Sequence, residues 1–219
     1  FFVMFSFMFT QMLHFQLVRG HTALEAAIRF LPLPLGLMPA AANSDKFVAK
    51  FGSNNVVATG LTLITAGMLL FTTVEIDTDY VRIALTFFLL GLGMGLTMAP
   101  STTLVMESIP EDKAGVGSAT NDASREIGGA LGIAIGGSVL NEYYQRNLVV
   151  PEGLEAQSAV LTESFPAAIQ IGLEMGNMEL IANARLAFMD GMVASAMVSA
   201  GIALMTAILV KLYMPGKTE

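Results

Sequence analysis

Residues Ala114–Leu140 read AGVGSATNDASREIGGALGIAIGGSVL, and the reading of this stretch decides the rest. It is long enough to cross a bilayer, for which about 20 residues suffice. Yet it carries Asp122, Arg125 and Glu126 in its interior. A helix rises about 1.5 Å per residue, so the three charges fall within about one and a half turns. A charge near the bilayer centre costs about 2.5–3.5 kcal/mol on insertion scales. A membrane helix that keeps three of them is expected to line something wet, namely a solute path worked by carboxylates.

Asp122 and Glu126 are four residues apart. They therefore share a helix face, about 6 Å apart along the axis, with Arg125 on its flank. Two carboxylates that close discourage each other's ionisation, and a neighbouring guanidinium favours it. A site for which a proton and a cation compete is the physical core of antiport. Asp122, Glu126 and Arg125 are thus the candidate residues for proton and substrate translocation. The same three residues also suit an ion pair tying this helix to a neighbour, or charges that snorkel to the membrane interface. Spacing alone leaves both uses open.

Beside them Gly128, Gly132 and Gly136 recur every four residues. Such a stripe of small residues lets two membrane helices approach closely. Gly91 and Gly95, in the run Gly91-Leu92-Gly93-Met94-Gly95, have the same use, with Pro100 as a kink. The run is no nucleotide loop: it lacks the G-x-G-x-x-G spacing, a preceding strand and a following Lys-Ser or Lys-Thr.

Of the 219 residues, 54% are hydrophobic and 13% charged. Ordinary soluble domains are about 25% charged, so the chain is expected to sit in a lipid bilayer. It has no cysteine, two histidines and a net charge of −7. The acidic balance disfavours nucleic acid, which needs a basic face. No catalytic triad and no H-E-x-x-H is present, so neither an enzyme nor a metal or other cofactor is expected.

Six apolar stretches, at about 1–18, 23–42, 56–74, 80–105, 114–140 and 186–213, predict an all-α membrane protein with six transmembrane helices. The first holds Gln11 and His14, three apart on one face, which either line a cavity or bond to a neighbouring helix. The second contains Pro32, Pro34 and Pro39, and proline kinks a helix. Asn43–Asn55, NSDKFVAKFGSNN, reads as a short polar loop. The long acidic connection 141–185 has room for short surface helices, and Asp190 opens the sixth span as an interfacial charge. Lys46, Lys50, Lys113, Lys211 and Lys217 fall on one side of the membrane, and Arg19, Arg82, Arg146 and Arg185 on the other. The lysine side is expected in the cytoplasm, which makes 141–185 extracytoplasmic. The chain opens at Phe1 inside an apolar run without the charged start of a signal peptide, so it is expected to be a fragment or the second half of something longer.

Three stretches carry a likeness to a known family. They are Gln16-Leu17-Val18-Arg19-Gly20 with Ala23-Leu24-Glu25-Ala26 and Leu31-Pro32, then Gly91–Pro100, and Ala114–Leu140 with Asn121-Asp122 and Arg125–Gly132. Over nearly its whole length the chain resembles the C-terminal half of a major facilitator superfamily transporter of the fourteen-span drug:proton antiporter subfamily. The resemblance implies that 1–219 form the C-terminal six-helix bundle of a major facilitator fold, multi-pass in the plasma (inner) membrane. It implies a missing N-terminal half of six or eight spans, and proton-driven multidrug efflux of amphipathic, often cationic, compounds. Asp122 and Glu126 fall where some relatives keep acids for cation or proton handling. Asn43–Asn55 is similar to the family's cytoplasmic loop. Asp45, Lys46, Lys50 and Gly52 remain of its pattern, while Ala42 or Asn43 replaces the leading glycine and Ser53 and Asn54 replace basic residues. Two rivals stand beside this reading: a degenerate membrane scaffold that does not transport, and an exporter of a lipid or metabolite.

Overall fold

The computed structural model describes residues 1–214, and their regular structure is helical. Helix α1, Phe2–Leu13, runs on into a π-helical turn at His14–Val18. Thr22 caps α2, Ala23–Arg29. Its hydroxyl accepts the Glu25 N–H, and the Glu25 carboxylate accepts the Thr22 N–H at 2.8 Å, which satisfies two otherwise orphaned donors. The chain makes a short turn at Phe30 and Leu31, both with helical dihedrals; Pro32 and Pro34, having no N–H, cannot donate to the carbonyls that end α2. The chain restarts as α3, Pro32–Phe51, with proline in the first turn. Then follow α4 (Ser53–Phe71), α5 (Tyr80–Glu107), α6 (Ala114–Asn147), α7 (Ser158–Glu163), α8 (Phe165–Met175) and α9 (Met178–Tyr213).

Four segments are long and apolar enough to cross a membrane: Ala23–Phe51, Ser53–Phe71, Tyr80–Glu107 and Met178–Tyr213. Of the two other expected spans, Phe2–Val18 is apolar but shorter. Helix α6 has 34 residues, but many are small or polar.

Several boundaries differ from the sequence reading. Asn43–Asn55 is not a loop. Helix α3 continues to Phe51, α4 begins at Ser53, and Gly52 at φ +84° is the joint. The polar side chains serve the helices: the Asn43 and Asn55 amides donate to the carbonyls of Pro39 and Phe51 at 2.9 and 2.7 Å. At the other end α6 runs past Leu140 to Asn147. Helix α9 starts at Met178, well before Leu186, because the Asn177 side chain caps it by accepting the Leu180 N–H at 2.9 Å. The long connection therefore consists largely of helix ends together with α7 and α8. Asp190 does not open a span; it lies well inside α9, where it accepts a bond from the Asn147 amide at 2.9 Å. Lys217 lies outside the described residues.

The long helices pack α3 on α5, α5 on α4, α4 on α9, α9 on α6 and α6 on α1. Glycine permits the closest of these contacts. A Cβ on Gly91 would strike the Leu33 carbonyl of α3, and one on Gly95 would meet Ala40 Cβ at 2.7 Å. On the opposite flank of α5, Gly93 abuts Gly60 of α4, each backbone lying against the carbonyl of the other. In α6 Gly132 abuts the Phe2 carbonyl and Gly136 abuts Ser6 and Ser195. Gly128 has more room, with Phe1 Cβ at 3.4 Å. An aromatic cluster holds α1 to the rest. Phe7 meets Phe71 and Phe87 edge-on at 5.3 and 5.2 Å between centroids, and Phe30 meets Phe87 at 4.8 Å, favourable geometries for rings.

Gly93→Val forces α4 and α5 apart. Overpacking of this kind costs about 1–3 kcal/mol, so the melting temperature of the solubilised full-length gene product is expected to fall by several degrees. Gly201→Ala, whose new Cβ meets nothing within 4 Å, is expected to leave it unchanged. Equal melting temperatures for the two variants would contradict the glycine-contact argument.

Candidate functional site

Turn geometry puts a row of polar groups on one side of α5 and of α6. Asn121, Ser124, Arg125 and Gly128 follow one another at helical i, i+3, i+4 and i+7 spacing, hence on one face. On α5, Thr97 and Ser101 are four apart, with Thr102 beside them. The two rows meet at a half-open cavity of about 340 Å³ bordered by α1, α3, α4, α5 and α6. This is within the range of small-molecule pockets, about 300–1,000 Å³. Its greasy wall includes Phe2, Phe7, Leu33, Leu90, Met94 and Met98.

Arg125 is the charged member of the lining. Its Nη2 donates to Thr102 Oγ1 at 2.8 Å. Thr102 is oriented for this, because its own hydroxyl donates to the Met98 carbonyl at 2.9 Å and leaves a lone pair toward Arg125. The guanidinium carbon lies 5.2 Å from the centroid of the Phe1 ring, within cation–π range. Its Nη1 is 3.8 Å from Asp122 Oδ1, an ionic approach longer than a hydrogen bond. Arg125 is thus held by three elements, α1, α5 and α6.

The three charges expected to act together separate in space. The Arg125 side chain is 32% exposed and lines the cavity, whereas that of Asp122 is 66% exposed. Glu126 is exposed as well, and neither carboxylate lines the cavity. Both are open to the surface at the N-terminal end of α6, before the level at which Gly129 and Gly136 pack on α1 and α9. Gln11 and His14, expected to line a cavity or bond to a neighbouring helix, do not line this one. They are fully enclosed, with Gln11 Oε1 and His14 Nδ1 3.4 Å apart, and the Nε2 of each has no partner among the described residues. Asp45, Lys46, Lys50 and Gly52 also lie away from the cavity. Lys46 donates to Asn43 Oδ1 at 3.2 Å, and the Lys50 ammonium is 5.1 Å from the Phe51 ring centroid. The sequence reading missed Thr102, Ser101 and Asn121. Their signal was present in the hydroxyls that follow Pro100 and in the register of Asn121 with Arg125.

Four segments long and apolar enough to span a bilayer, together with a half-open cavity that has polar groups in its lining, define a polytopic membrane protein. The chain matches the Major Facilitator Superfamily over residues 1–133 and belongs to that superfamily. It is 28% identical over 209 residues to the multidrug efflux pump LfrA of Mycolicibacterium smegmatis, covering 94% of this chain and 42% of LfrA. It is 30% identical over 122 residues to the multidrug transporter protein MdtP of Bacillus subtilis, covering 56% of this chain and 23% of MdtP. It is 28% identical over 127 residues to the tetracenomycin C resistance and export protein of Streptomyces glaucescens, covering 58% and 24%. The chain therefore spans less than half the length of these relatives.

Replacing both members of a buried polar pair with apolar groups of similar shape is close to neutral. Gln11→Leu with His14→Leu is therefore expected to preserve or raise the melting temperature of the full-length gene product. A drop of several degrees would reveal a partner for the two Nε2 groups and give the pair a role beyond packing.

Proposed function

We propose that the chain forms the C-terminal six-span half of a fourteen-span, proton-coupled antiporter that exports amphipathic compounds across the plasma membrane. The six spans of this reading are α1 with its π turn, α2 with α3, α4, α5, α6 and α9. The lysine-bearing side faces the cytoplasm, and the connection holding α7 and α8 faces outward. Membership of the superfamily supports it, as do relatives named for multidrug efflux and longer than this chain. The observation that carries it is a cavity of drug size, mostly greasy but with Arg125, Thr102, Ser101 and Asn121 in its lining, where Arg125 reaches within 3.8 Å of the exposed Asp122. In the longer protein the exposed N-terminal end of α6 meets the other half, and Asp122 and Glu126 there take up and release the coupling proton. Arg125, 3.8 Å from Asp122 and itself in the lining, links that pair to the cavity. Alternating access by rocking of two halves about a central site follows the general design of such transporters. Gly52, the joint of α3 and α4, lies with Asp45, Lys46 and Lys50 at the cytoplasmic end of the bundle in this reading.

One observation favours the scaffold rival: Arg125 already ties α6 to α5 through Thr102, a structural use that needs no solute. The two readings part in cells making the full-length gene product. Asp122→Asn and Glu126→Gln are each expected to abolish the pH dependence of efflux and to lower resistance at least about tenfold, with normal protein levels. Unchanged, still pH-dependent efflux in both variants would overturn the carboxylate assignment. Loss of the protein itself in both variants, instead of activity, would favour the scaffold.

A further inference from the structure

The lining of the cavity selects the chemistry it accepts. Arg125 is the one charged side chain that lines the cavity, and among the described residues no carboxylate does. A guanidinium offers five N–H donors and no acceptor. Here Nη2 is committed to Thr102, while Nη1 has only the 3.8 Å approach of Asp122, so one edge of the fork is under-bonded. Ser101 and Asn121 flank it, and among the described residues neither makes a side-chain hydrogen bond. The polar end of the cavity is therefore rich in donors and positive. The rest of the cavity lining includes the rings of Phe2 and Phe7 and the thioethers of Met94 and Met98. Rings favour stacked or edge-on aromatic partners, and methionines adapt to varied shapes.

We propose that this cavity binds an aromatic amphipath whose polar end is an anionic oxygen, a carboxylate or phenolate, seated on Arg125. The inference rests on the transport reading and narrows it: the family resemblance points toward cationic cargo, whereas this lining repels a cation. A carboxylate takes a guanidinium edge in two parallel hydrogen bonds. A phenolate takes it in one, helped by Ser101 or Asn121. A quaternary ammonium has nothing to offer these donors.

Three fluorescent probes with one ring system separate the cases: anthracene-9-carboxylate, 9-anthracenemethanol and (9-anthracenylmethyl)trimethylammonium. Their binding to the purified full-length gene product is followed by anisotropy. The carboxylate is expected to bind tightest. Arg125→Gln is expected to weaken it about tenfold, the scale of one lost charge-assisted hydrogen bond, while moving the alcohol less than about twofold. Arg125→Lys restores part of the loss, because the charge returns without the fork. Should Arg125→Gln not fold, Ser101→Asp serves instead: it puts a carboxylate into the lining and is expected to weaken the anion and strengthen the cation. Tightest binding of the ammonium, or equal binding of all three with no response to either variant, overturns the anion assignment and leaves the efflux reading standing. No binding of any probe to a folded protein removes both.

Discussion

Helix α5 lacks a Cβ at the three places where its neighbours press on it, and the rest of the bundle depends on that. Gly91 and Gly95 admit the backbone of α3, and Gly93 admits Gly60 of α4 on another side. In lipid there is no hydrophobic drive to push apolar helices together, so close van der Waals contact has to do that work. The same contacts fix the rotation of α5 about its axis. Rotation decides that Thr97, Ser101 and Thr102, one to three turns further on, face inward.

Two of these hydroxyls, those of Thr97 and Thr102, also meet a second constraint of the apolar interior, which favours a partner for each polar group. Thr97 and Thr102 return their protons to the carbonyls four residues earlier, at 2.7 and 2.9 Å. This local bonding closes off their donor side and leaves only lone pairs for other helices. Arg125 takes up the one on Thr102. The sequence of causes runs from absent methyl groups to helix rotation, then to hydroxyl direction, and then to where a cationic side chain rests.

Much of the fold was legible in the residues and part was not. Apolar runs and prolines located the long helices, and the four-residue glycine rhythm in α6 pointed at Gly132 and Gly136, both of which abut a neighbour. Polar letters misled twice. NSDKFVAKF looked like loop, although Phe47, Val48 and Phe51 recur at helical spacing within it. The start of α9 looked like loop because Glu179, Asn183 and Arg185 outweighed Leu180, Ile181 and Ala184, whose burial marks an inward face. For the site, the angle of 100° per residue correctly set Arg125 beside the Asp122 face. It carried no information on which of those two faces would be covered, because the covering residues come from α1 and α5, and Thr102 is far away in the chain.

The bond between Arg125 and Thr102 joins two helices that touch little elsewhere. At 2.8 Å it has almost no slack. A slide of α6 along α5 by two residues' rise, about 3 Å, carries donor and acceptor out of range. The pair therefore works as a vernier mark between the two rods: aligned in this arrangement, out of register in any other, and readable from a single distance.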